Sequence, residues 1–402
     1  MEFSNKTANL SGSSIRDTFK ALANNKIISF AGGMPSSAFY PADEFASIAQ
    51  NILNTNPAKA LNYGITEGYA PLIEKIRNRA TEQNILDNTS ENQDSPQILV
   101  TSGGQQAINL TAMILLNEGD GVVVENPSFL GALNAFRSFG ANLYGVPMQN
   151  AGMDIEALEK TLTTNKNIKF IYVIPTFQNP MGVTTSLQKR KQIIDLAYKF
   201  NVYILEDNPY GDLKFNPSTP SLPTIMQLER EAQNRGNVIY TGSFSKILSP
   251  GLRVGYAIAP REIIDKMTVC KQVQDVHTPL IPQMIVNDYI ENFDLNKHIS
   301  KCNAHYSKQC SHMLNCIDRL FPKNSGIKAT KPDGGLFLWC YGGKKDSATL
   351  AKEALDLGVC IVSGNGFLPN STDSTSSFRL NFSASPLDKI EEGIGILSKI
   401  VG

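Results

Sequence analysis

Short apolar runs alternate with helical patterns between about residues 97 and 260. Six runs rich in Val, Ile, Leu and Tyr predict buried strands: QILVTS (97–102), VVVEN (122–126), KFIYVIP (169–175), VYILED (202–207), NVIYTGS (237–243) and VGYAIA (254–259). Two of the segments between them, residues 104–119 and 186–200, have helical periodicity. Near-continuous apolar strands separated by helices are typical of a mostly parallel central sheet covered by helices, so we expect an α/β fold.

The two ends of the chain are more helical and carry their own late apolar runs, GLFLWC (335–340) and FRLNF (378–382). They predict a smaller α+β domain that is built from both chain ends. We therefore expect three segments: an N-terminal arm with part of the small domain (1–50), a large domain (51–290) and the C-terminal part of the small domain (291–402).

The composition is that of an ordinary globular protein, and it narrows the classes of function. The 402 residues are 42% hydrophobic and carry 37 basic and 37 acidic side chains, so the formal net charge is zero. A neutral chain lacks the basic surface of a nucleic-acid-binding or membrane-surface protein. No apolar run approaches the ~18 residues of a membrane span, and the polar N-terminus lacks a signal core. Six Cys without a disulfide pattern favour the cytoplasm.

Polar and charged residues follow five of the predicted strands. The segments are Ser102 to Gln105, Asn126 to Phe129, Asn179 with Pro180, Asp207 to Tyr210, and Ser243 to Lys246. Because the carboxyl ends of parallel strands meet at one edge of a sheet, this pattern predicts a site for a polar ligand. Each segment also has a plainer explanation, such as a tight turn for the Gly103-Gly104 pair.

Lys246 is the most informative of these residues. A lone lysine is usually a solvated surface residue. This one follows a buried strand, lies between Ser245 and Ser249, and precedes Arg253 by seven residues. Hydroxyls and a guanidinium around an amine are what a phosphate site beside a nucleophilic lysine requires, which indicates a Schiff base with pyridoxal phosphate.

Eight motifs in order resemble those of the PLP-dependent aminotransferases of fold type I, classes I and II, closest to the 2-aminoadipate, kynurenine and aromatic aminotransferase subgroup. The motifs are FAGGMPSSAFYP (30–41), LNYGITEGY (61–69), TSGGQQAI (101–108), ENPSF (125–129), QNPMG (178–182), EDNPYGDL (206–213), GSFSKILSPGLRVGY (242–256) and FRLNFS (378–383). The resemblance implies the transferase fold of type I and pyridoxal 5′-phosphate as the cofactor.

The resemblance also implies roles for individual residues around the cofactor. Lys246 matches the lysine that forms the Schiff base, and Asp207 matches the carboxylate that keeps the pyridine nitrogen protonated. Asn179 and Tyr210 match the donors to the phenolic oxygen, and Phe129 occupies the position that stacks on the ring. The residues that match the phosphate site are Gly104, Gln105, Ser243, Ser245 and Arg253, with Gly104 standing where relatives have serine.

Substrate binding and assembly follow from the same resemblance. Arg379 matches the arginine that binds the substrate α-carboxylate, and Gly33, Asn179 and Arg16 complete the substrate site. From the residues alone, the polar face of FRLNF is more simply explained as a solvated strand face. Tyr63 matches a residue that reaches the phosphate of the neighbouring subunit, which implies a homodimer.

The implied activity is transfer of an amino group from an L-amino acid to a 2-oxo acid. The sequence leaves 2-aminoadipate, glutamate, aromatic and branched-chain amino acids open as donors. A lyase, decarboxylase or racemase on the same cofactor is the alternative enzyme class. The effector domain of a winged-helix regulator is the non-enzymatic alternative; the zero net charge and a resemblance that already begins near residue 14 disfavour it.

The segment 297–320 contains six possible metal ligands: His298, Cys302, His305, Cys310, His312 and Cys316. It has no Gly or Pro and predicts one continuous helix with a buried stripe. At ~1.5 Å per residue, a helix separates His298 from His312 by about 21 Å. We therefore expect packing and no metal site.

Overall fold

The computed structural model describes residues 27–87, 95–232 and 236–402. The strands in chain order are β1 (Ile28–Ser29), β2 (Gln97–Thr101), β3 (Gly121–Asn126), β4 (Asn142–Gln149), β5 (Gly152–Met153), β6 (Ile168–Val173), β7 (Tyr203–Asp207), β8 (Val238–Ser243), β9 (Gly255–Ala259), β10 (Lys328–Ala329), β11 (Phe337–Tyr341), β12 (Val359–Cys360), β13 (Val362–Ser363) and β14 (Phe378–Asn381).

The described α-helices surround these strands. They are α1 (Ala42–Thr55), α2 (Pro57–Ala60), α3 (Ala70–Glu82), α4 (Gly104–Leu115), α5 (Leu130–Ser138), α6 (Ile155–Thr164), α7 (Leu187–Phe200), α8 (Ile225–Glu231), α9 (Arg261–Gln274), α10 (Leu280–Asn292), α11 (Leu295–Leu320), α12 (Ser347–Asp356) and α13 (Leu387–Leu397). Among them, none is both long enough and apolar enough to cross a membrane.

The large sheet has eight strands in the order β2-β9-β8-β7-β6-β3-β4-β5. Strands β8, β7, β6, β3 and β4 run parallel, whereas β9 is antiparallel to both β8 and β2. Strand β2 therefore points in the same direction as the parallel set. The carboxyl ends of β2, β3, β6, β7 and β8 meet at one edge of the sheet, which confirms the geometry that the sequence predicts.

The interior of this sheet is apolar on both faces. Val122, Val123 and Val124 of β3 are fully buried, as are Phe170 and Ile171 of β6. This burial explains why the six predicted strands appear as continuous apolar runs rather than as alternating patterns. The sequence does not predict strand β4. Its residues, NLYGVPMQ, occupy mostly exposed and half-buried positions and so do not form a continuous apolar run.

A second sheet of four antiparallel strands, in the order β10-β11-β14-β13, lies in the C-terminal part of the chain. The N-terminal segment joins this region, because β1 pairs with β12 and the Phe30 carbonyl accepts a hydrogen bond from the Asn381 N–H. Both chain ends thus contribute to the smaller unit. The domain boundaries near residues 50 and 290 stay a prediction.

Helix α11 is the long helix expected over residues 297–320. Its buried positions include Ile299, Cys302, Tyr306, Cys310 and Met313, which recur every three or four residues. It packs against α13 of the same unit. The cysteines on this helix are therefore part of a packed apolar stripe.

Candidate active site

Asp207 ends β7 and lies at the carboxyl edge of the large sheet, 4% exposed. Its Oδ2 accepts a hydrogen bond of 2.8 Å from the Tyr172 hydroxyl, and its Oδ1 accepts one of 2.9 Å from the Thr241 hydroxyl. Burial raises the pKa of Asp207 to about 6, although both hydrogen bonds and the nearby Lys246 oppose this rise. The site therefore holds a carboxylate that a cationic partner would stabilise strongly.

Lys246 follows β8 and faces the same edge. Its Nζ donates a hydrogen bond of 2.6 Å to the carbonyl of Gly33, which lies on the N-terminal segment beside the smaller unit. Burial, with Arg379 and Arg253 nearby, lowers the pKa of Lys246 to about 8. A lysine with a lowered pKa has a larger neutral fraction near neutral pH, and the neutral amine is the nucleophile.

Asn179, Tyr210 and Arg379 form one buried group between the two sheets. The Asn179 amide donates to the Tyr210 hydroxyl at 3.4 Å, and its Oδ1 accepts from Nη1 of Arg379 at 2.9 Å. Asn179 and Tyr210 lie in the segments that follow β6 and β7 of the large sheet, whereas Arg379 lies on β14. Arg379 is therefore joined to the strand-end residues by a direct contact.

Arg379 is 5% exposed, so the solvated strand face that the residues alone favour is wrong. Its Nη2 donates to the Ala31 carbonyl at 2.8 Å, and Phe337 and Phe367 stack on it with ring centres 4.1 and 5.1 Å away. Its Nε has no hydrogen-bond partner among the residues that the structure describes. Burial lowers the pKa of Arg379 to about 10.

The loop from Ser102 to Gly104 connects β2 to the N-terminus of α4. Gly103 is the N-cap and has a φ of 81°, in the left-handed region that favours glycine. A Cβ at Gly103 would also collide with the guanidinium of Arg253. A glycine N-cap leaves the first N–H groups of α4 open toward an anion, as at many phosphate sites.

Ser243, Ser245 and Arg253 lie on the β8 side of this loop. Nη1 of Arg253 contacts Ser245 Oγ at 3.4 Å, and its Nη2 donates to the Ser102 carbonyl at 3.0 Å. The Ser245 N–H donates to Ser243 Oγ at 3.1 Å. Two hydroxyls, an exposed guanidinium and a helix N-terminus thus face the same space, which suits a dianionic group.

Phe129, the N-cap of α5, lies beside Gln105 of α4. The Gln105 side-chain amide donates to the Gly131 carbonyl at 2.9 Å. Both side chains contact the position where a Cβ on Gly131 would stand, so that glycine permits their close approach. Phe129 is half-buried, with an aromatic ring available for stacking beside the strand ends.

One predicted site residue, Tyr63, does not lie with the other site residues in this chain. The Tyr63 side chain is on the surface, 84% exposed, with its ring centre 6.0 Å from that of His277. Arg16 lies outside the described residues.

Sequence reasoning missed the residues that hold the predicted ones in place. Tyr172 and Thr241 fix Asp207 because β6 and β8 flank β7, and strand order cannot be read from one sequence. The Ala31 carbonyl was missed because backbone acceptors carry no side-chain signal. The position of Tyr172 three residues before the end of the KFIYVIP run is the one clue that was present.

A cluster of three possible metal ligands lies elsewhere, on α11 and α13. His312, Cys316 and Glu391 offer ligand atoms within 4.8 Å of one another, so Glu391 adds a third ligand to two that lie four residues apart on α11. Arg319, however, forms an ion pair with Glu391 at 2.5 Å, and the His312 ring contacts the Leu387 carbonyl at 3.0 Å. These contacts occupy the ligand atoms with protein partners.

Comparison with known proteins identifies the class. Residues 36–397 match the family described as aminotransferase class I and II. The aromatic-amino-acid aminotransferase 1 of Thermococcus litoralis is 35% identical over 99% of this chain and 94% of its own length. The chain therefore belongs to the aminotransferase class I and II family, and it is a PLP-dependent aminotransferase.

Two solved structures agree over nearly the whole chain. The kynurenine aminotransferase of Pyrococcus horikoshii is 35% identical with a TM-score of 0.90, over 99% of this chain and 96% of its own. The alpha-aminoadipate aminotransferase of Thermus thermophilus, complexed with N-(5′-phosphopyridoxyl)-L-leucine, is 34% identical with a TM-score of 0.89 over the same shares. The fold is therefore that of the type I PLP-dependent transferases, as expected.

The residues present suit pyridoxal phosphate. The buried carboxylate of Asp207 and the amine of Lys246, whose pKa is lowered, face one edge of the sheet. The loop from Ser102 to Gly104, which we call the phosphate-type loop, faces the same edge. Gly255 has no side chain at the point where a Cβ would lie 2.7 Å from the Gly104 nitrogen, so β9 can pack directly against the loop. These residues therefore suit the three parts of the cofactor: the carboxylate suits the ring nitrogen, the lysine suits the aldehyde, and the phosphate-type loop suits the phosphate.

Proposed function

We propose that this aminotransferase transfers the amino group of an L-amino acid to a 2-oxo acid through a Schiff base on Lys246. The observation that carries the proposal is the buried guanidinium of Arg379, which has an unpartnered Nε and only neutral acceptors, Asn179 and Ala31, among its described contacts. A buried cation without an anion is unfavourable, so the site calls for a carboxylate from the substrate.

Each residue has a defined part in this account. Pyridoxal phosphate supplies, when bound, an aldehyde for Schiff-base formation and a ring that withdraws electrons. Arg379 and Asn179 bind the α-carboxylate, and Lys246 Nζ moves the proton that leaves the substrate Cα. Asp207 keeps a proton on the ring nitrogen, while Asn179 and Tyr210 donate to the phenolic oxygen.

The remaining residues hold the cofactor in place. Phe129 stacks on the ring, and the phosphate is bound by the α4 N-terminus with the side chains around it: Gly104 and Gln105 at the helix, and Ser243, Ser245 and Arg253 opposite. Gly33 lies beside Lys246, where its carbonyl accepts the lysine hydrogen bond. Arg16 is proposed to approach the substrate side chain.

The homodimer is supported by an apolar surface around Tyr63. Leu61 and Ile65 are 70% and 61% exposed, and Val273 is 79% exposed at the end of α9, a few residues before His277, which contacts Tyr63. Exposed apolar patches of this kind are typical of protein interfaces. Val273→Asp should yield a monomer in sedimentation equilibrium, while Leu357→Asp, a matched change on an exposed apolar residue elsewhere, should leave a dimer.

Aromatic amino acids, kynurenine and 2-aminoadipate are the proposed donors, since relatives named for these substrates share nearly the full length of the chain. The cytoplasm is the proposed location. Single-turnover conversion of the bound cofactor to its pyridoxamine form, measured across the twenty amino acids, kynurenine and 2-aminoadipate, tests the substrate range.

We expect rapid conversion with the proposed donors and one 2-oxo acid, of unchanged carbon skeleton, for each amino acid consumed. Release of carbon dioxide, or loss of the side chain, in place of a 2-oxo acid would favour the decarboxylase or lyase alternative. Binding of PLP with no conversion by any amino acid would favour a sensing role instead.

A further inference from the structure

A partly buried ionic network lies directly behind the phosphate-type loop. We call it the anchor network, and it consists of Ser102, Gln106, Lys271, Asp275 and Thr278. The ammonium of Lys271, on α9, is fully buried and donates to both carboxylate oxygens of Asp275 at 2.8 and 2.9 Å. It also donates to Gln106 Oε1 at 2.9 Å and to Thr278 Oγ1 at 3.0 Å.

Ser102 is the point where the anchor network meets the loop. Its N–H donates to Gln106 Oε1 at 2.8 Å, and its hydroxyl donates to Asp275 Oδ2 at 2.9 Å. Its carbonyl accepts from Arg253 Nη2 at 3.0 Å. All three polar groups of Ser102 are thus engaged, which fixes the backbone immediately before Gly103 and Gly104.

Lys271 also determines the orientation of the Gln106 amide. Gln106 Oε1 accepts from both Lys271 and the Ser102 N–H, and its Nε2 donates to Asp275 Oδ2 at 2.8 Å. The cation on one side and the carboxylate on the other permit only this orientation of the amide. Removal of the cation would take away one of the two charges that fix the acceptor for Ser102.

The free-energy cost of burying the Lys271 ammonium indicates that its charge has a role in ordering the groups around it. Taking an ammonium fully out of water is unfavourable, and burial lowers the pKa of Lys271 even though Asp275 opposes the change. An apolar side chain would fill the same space more favourably unless the charge serves the groups around it. Here those groups are the residues that hold the phosphate-type loop.

We propose that Lys271 and Asp275 are positioning residues that order the phosphate-binding loop before the cofactor arrives. The inference rests on the proposed function, which places the phosphate at this loop. Neither residue is proposed to touch the cofactor. A loop that is ordered in advance binds its anion without a further loss of conformational freedom, so the anchor network should strengthen binding of the phosphate group specifically.

The test is to compare PLP with pyridoxal, which lacks the phosphate, on cofactor-free protein. In Lys271→Met we expect the Kd for PLP, and the inhibition constant of inorganic phosphate against PLP, to rise by about ten- to a hundredfold, whereas the Kd for pyridoxal should change by less than about twofold. Asp275→Asn should act in the same direction. Lys345→Met, which removes an ion pair with Glu353 in the smaller unit, is the matched control and should leave all three constants unchanged.

Ser102→Ala keeps the Lys271–Asp275 ion pair and removes one link to the loop, so it tests the inference even where Lys271→Met does not fold. We expect a severalfold loss of PLP affinity and no change for pyridoxal. An unchanged ratio of PLP to pyridoxal affinity in these variants, whatever happens to thermal stability, would overturn the inference alone. A wild-type chain that formed no Schiff base with PLP would overturn the proposed function as well.

Discussion

The two ends of the proposed cofactor site are built in different ways. At the ring end, Asp207 is 4% exposed and takes both of its hydrogen bonds from Tyr172 and Thr241 of the same sheet. At the phosphate end, Arg253 is exposed and the loop before α4 contains two glycines, while Tyr63, the residue proposed to come from a second subunit, is 84% exposed. The ring end is complete within one chain, whereas the phosphate end depends on loop order and on a proposed second subunit.

This difference has an electrostatic consequence. Buried groups at the ring end have strongly shifted pKa values because few water molecules solvate them, so single charges there should control the chemistry. The Arg253 charge at the phosphate end is screened by solvent, and backbone N–H groups would bind the phosphate together with it. We therefore expect large effects on turnover from changes at the ring end, and smaller effects on affinity from changes at the phosphate end.

The largest effect is expected from Asp207→Asn. The amide can still contact the ring nitrogen but cannot keep it protonated, so kcat should fall by about 10²- to 10³-fold while PLP stays bound. Steady-state kinetics and PLP titration measure the two quantities. Glu206→Gln is the matched control: this neighbouring buried carboxylate accepts from the N–H groups of Ile225 and Met226, so its change should lower stability rather than turnover.

The next effect in size concerns Arg379→Lys. The lysine keeps the charge but loses the planar fork, so kcat/KM for amino acids should fall by about a hundredfold, or about 2–3 kcal/mol. Amines without a carboxylate serve as an internal control and should be insensitive. Release of PLP from this variant, with an unchanged KM for amino acids, would assign Arg379 to the cofactor or to the fold.

An effect of about tenfold is expected from pH. Only the neutral amine of Lys246 attacks the aldehyde, and its neutral fraction rises with pH. With its pKa lowered to about 8, the rate of Schiff-base formation by cofactor-free protein should rise through pH 8 and be about tenfold below its plateau at pH 7. Stopped-flow absorbance measures this profile, and a midpoint near the ordinary lysine value would show that the environment does not activate Lys246.

Tyr63→Phe should weaken PLP binding by only severalfold, since it removes one hydrogen bond at the exposed end. Hybrid dimers sharpen the test when one subunit carries Lys246→Ala and the other Tyr63→Phe. The single site able to form a Schiff base should then have wild-type affinity, because its tyrosine would come from the partner. Affinity equal to that of the Tyr63→Phe homodimer would contradict a shared site.

The smallest expected effect is an increase in PLP affinity, in Gly104→Ser. A Cβ at Gly104 would lie 3.8 Å from Thr241 Oγ1 and 3.9 Å from Ser243 Cβ, which is ordinary contact. Gly104→Ser should therefore fit and add one hydroxyl toward the phosphate, with PLP affinity rising by about two- to tenfold. Gly103→Ala is the matched control and should weaken binding, because its φ of 81° and the Arg253 guanidinium leave no room for a side chain.

Much of the site could be predicted because strand ends carry the chemistry. Asp207 and Lys246 each follow an apolar run that marks a buried strand, and the parallel arrangement brings those ends together. Arg379 could be placed only by resemblance, since its burial depends on Phe337 and Phe367 from other segments. Lys271 gave no signal, because a helical lysine looks solvated until the packing of α9 against α4 is known.

The central claim is that Lys246 holds the cofactor beside Asp207, and covalent trapping tests it most directly. Borohydride reduction of the PLP-loaded protein, followed by peptide mapping, should place the phosphopyridoxyl group on Lys246 in stoichiometric amount. Lys271, the fully buried lysine near the phosphate end, should be unmodified. Recovery of the adduct on Lys271 or on any other lysine, with Lys246 free, would contradict the account.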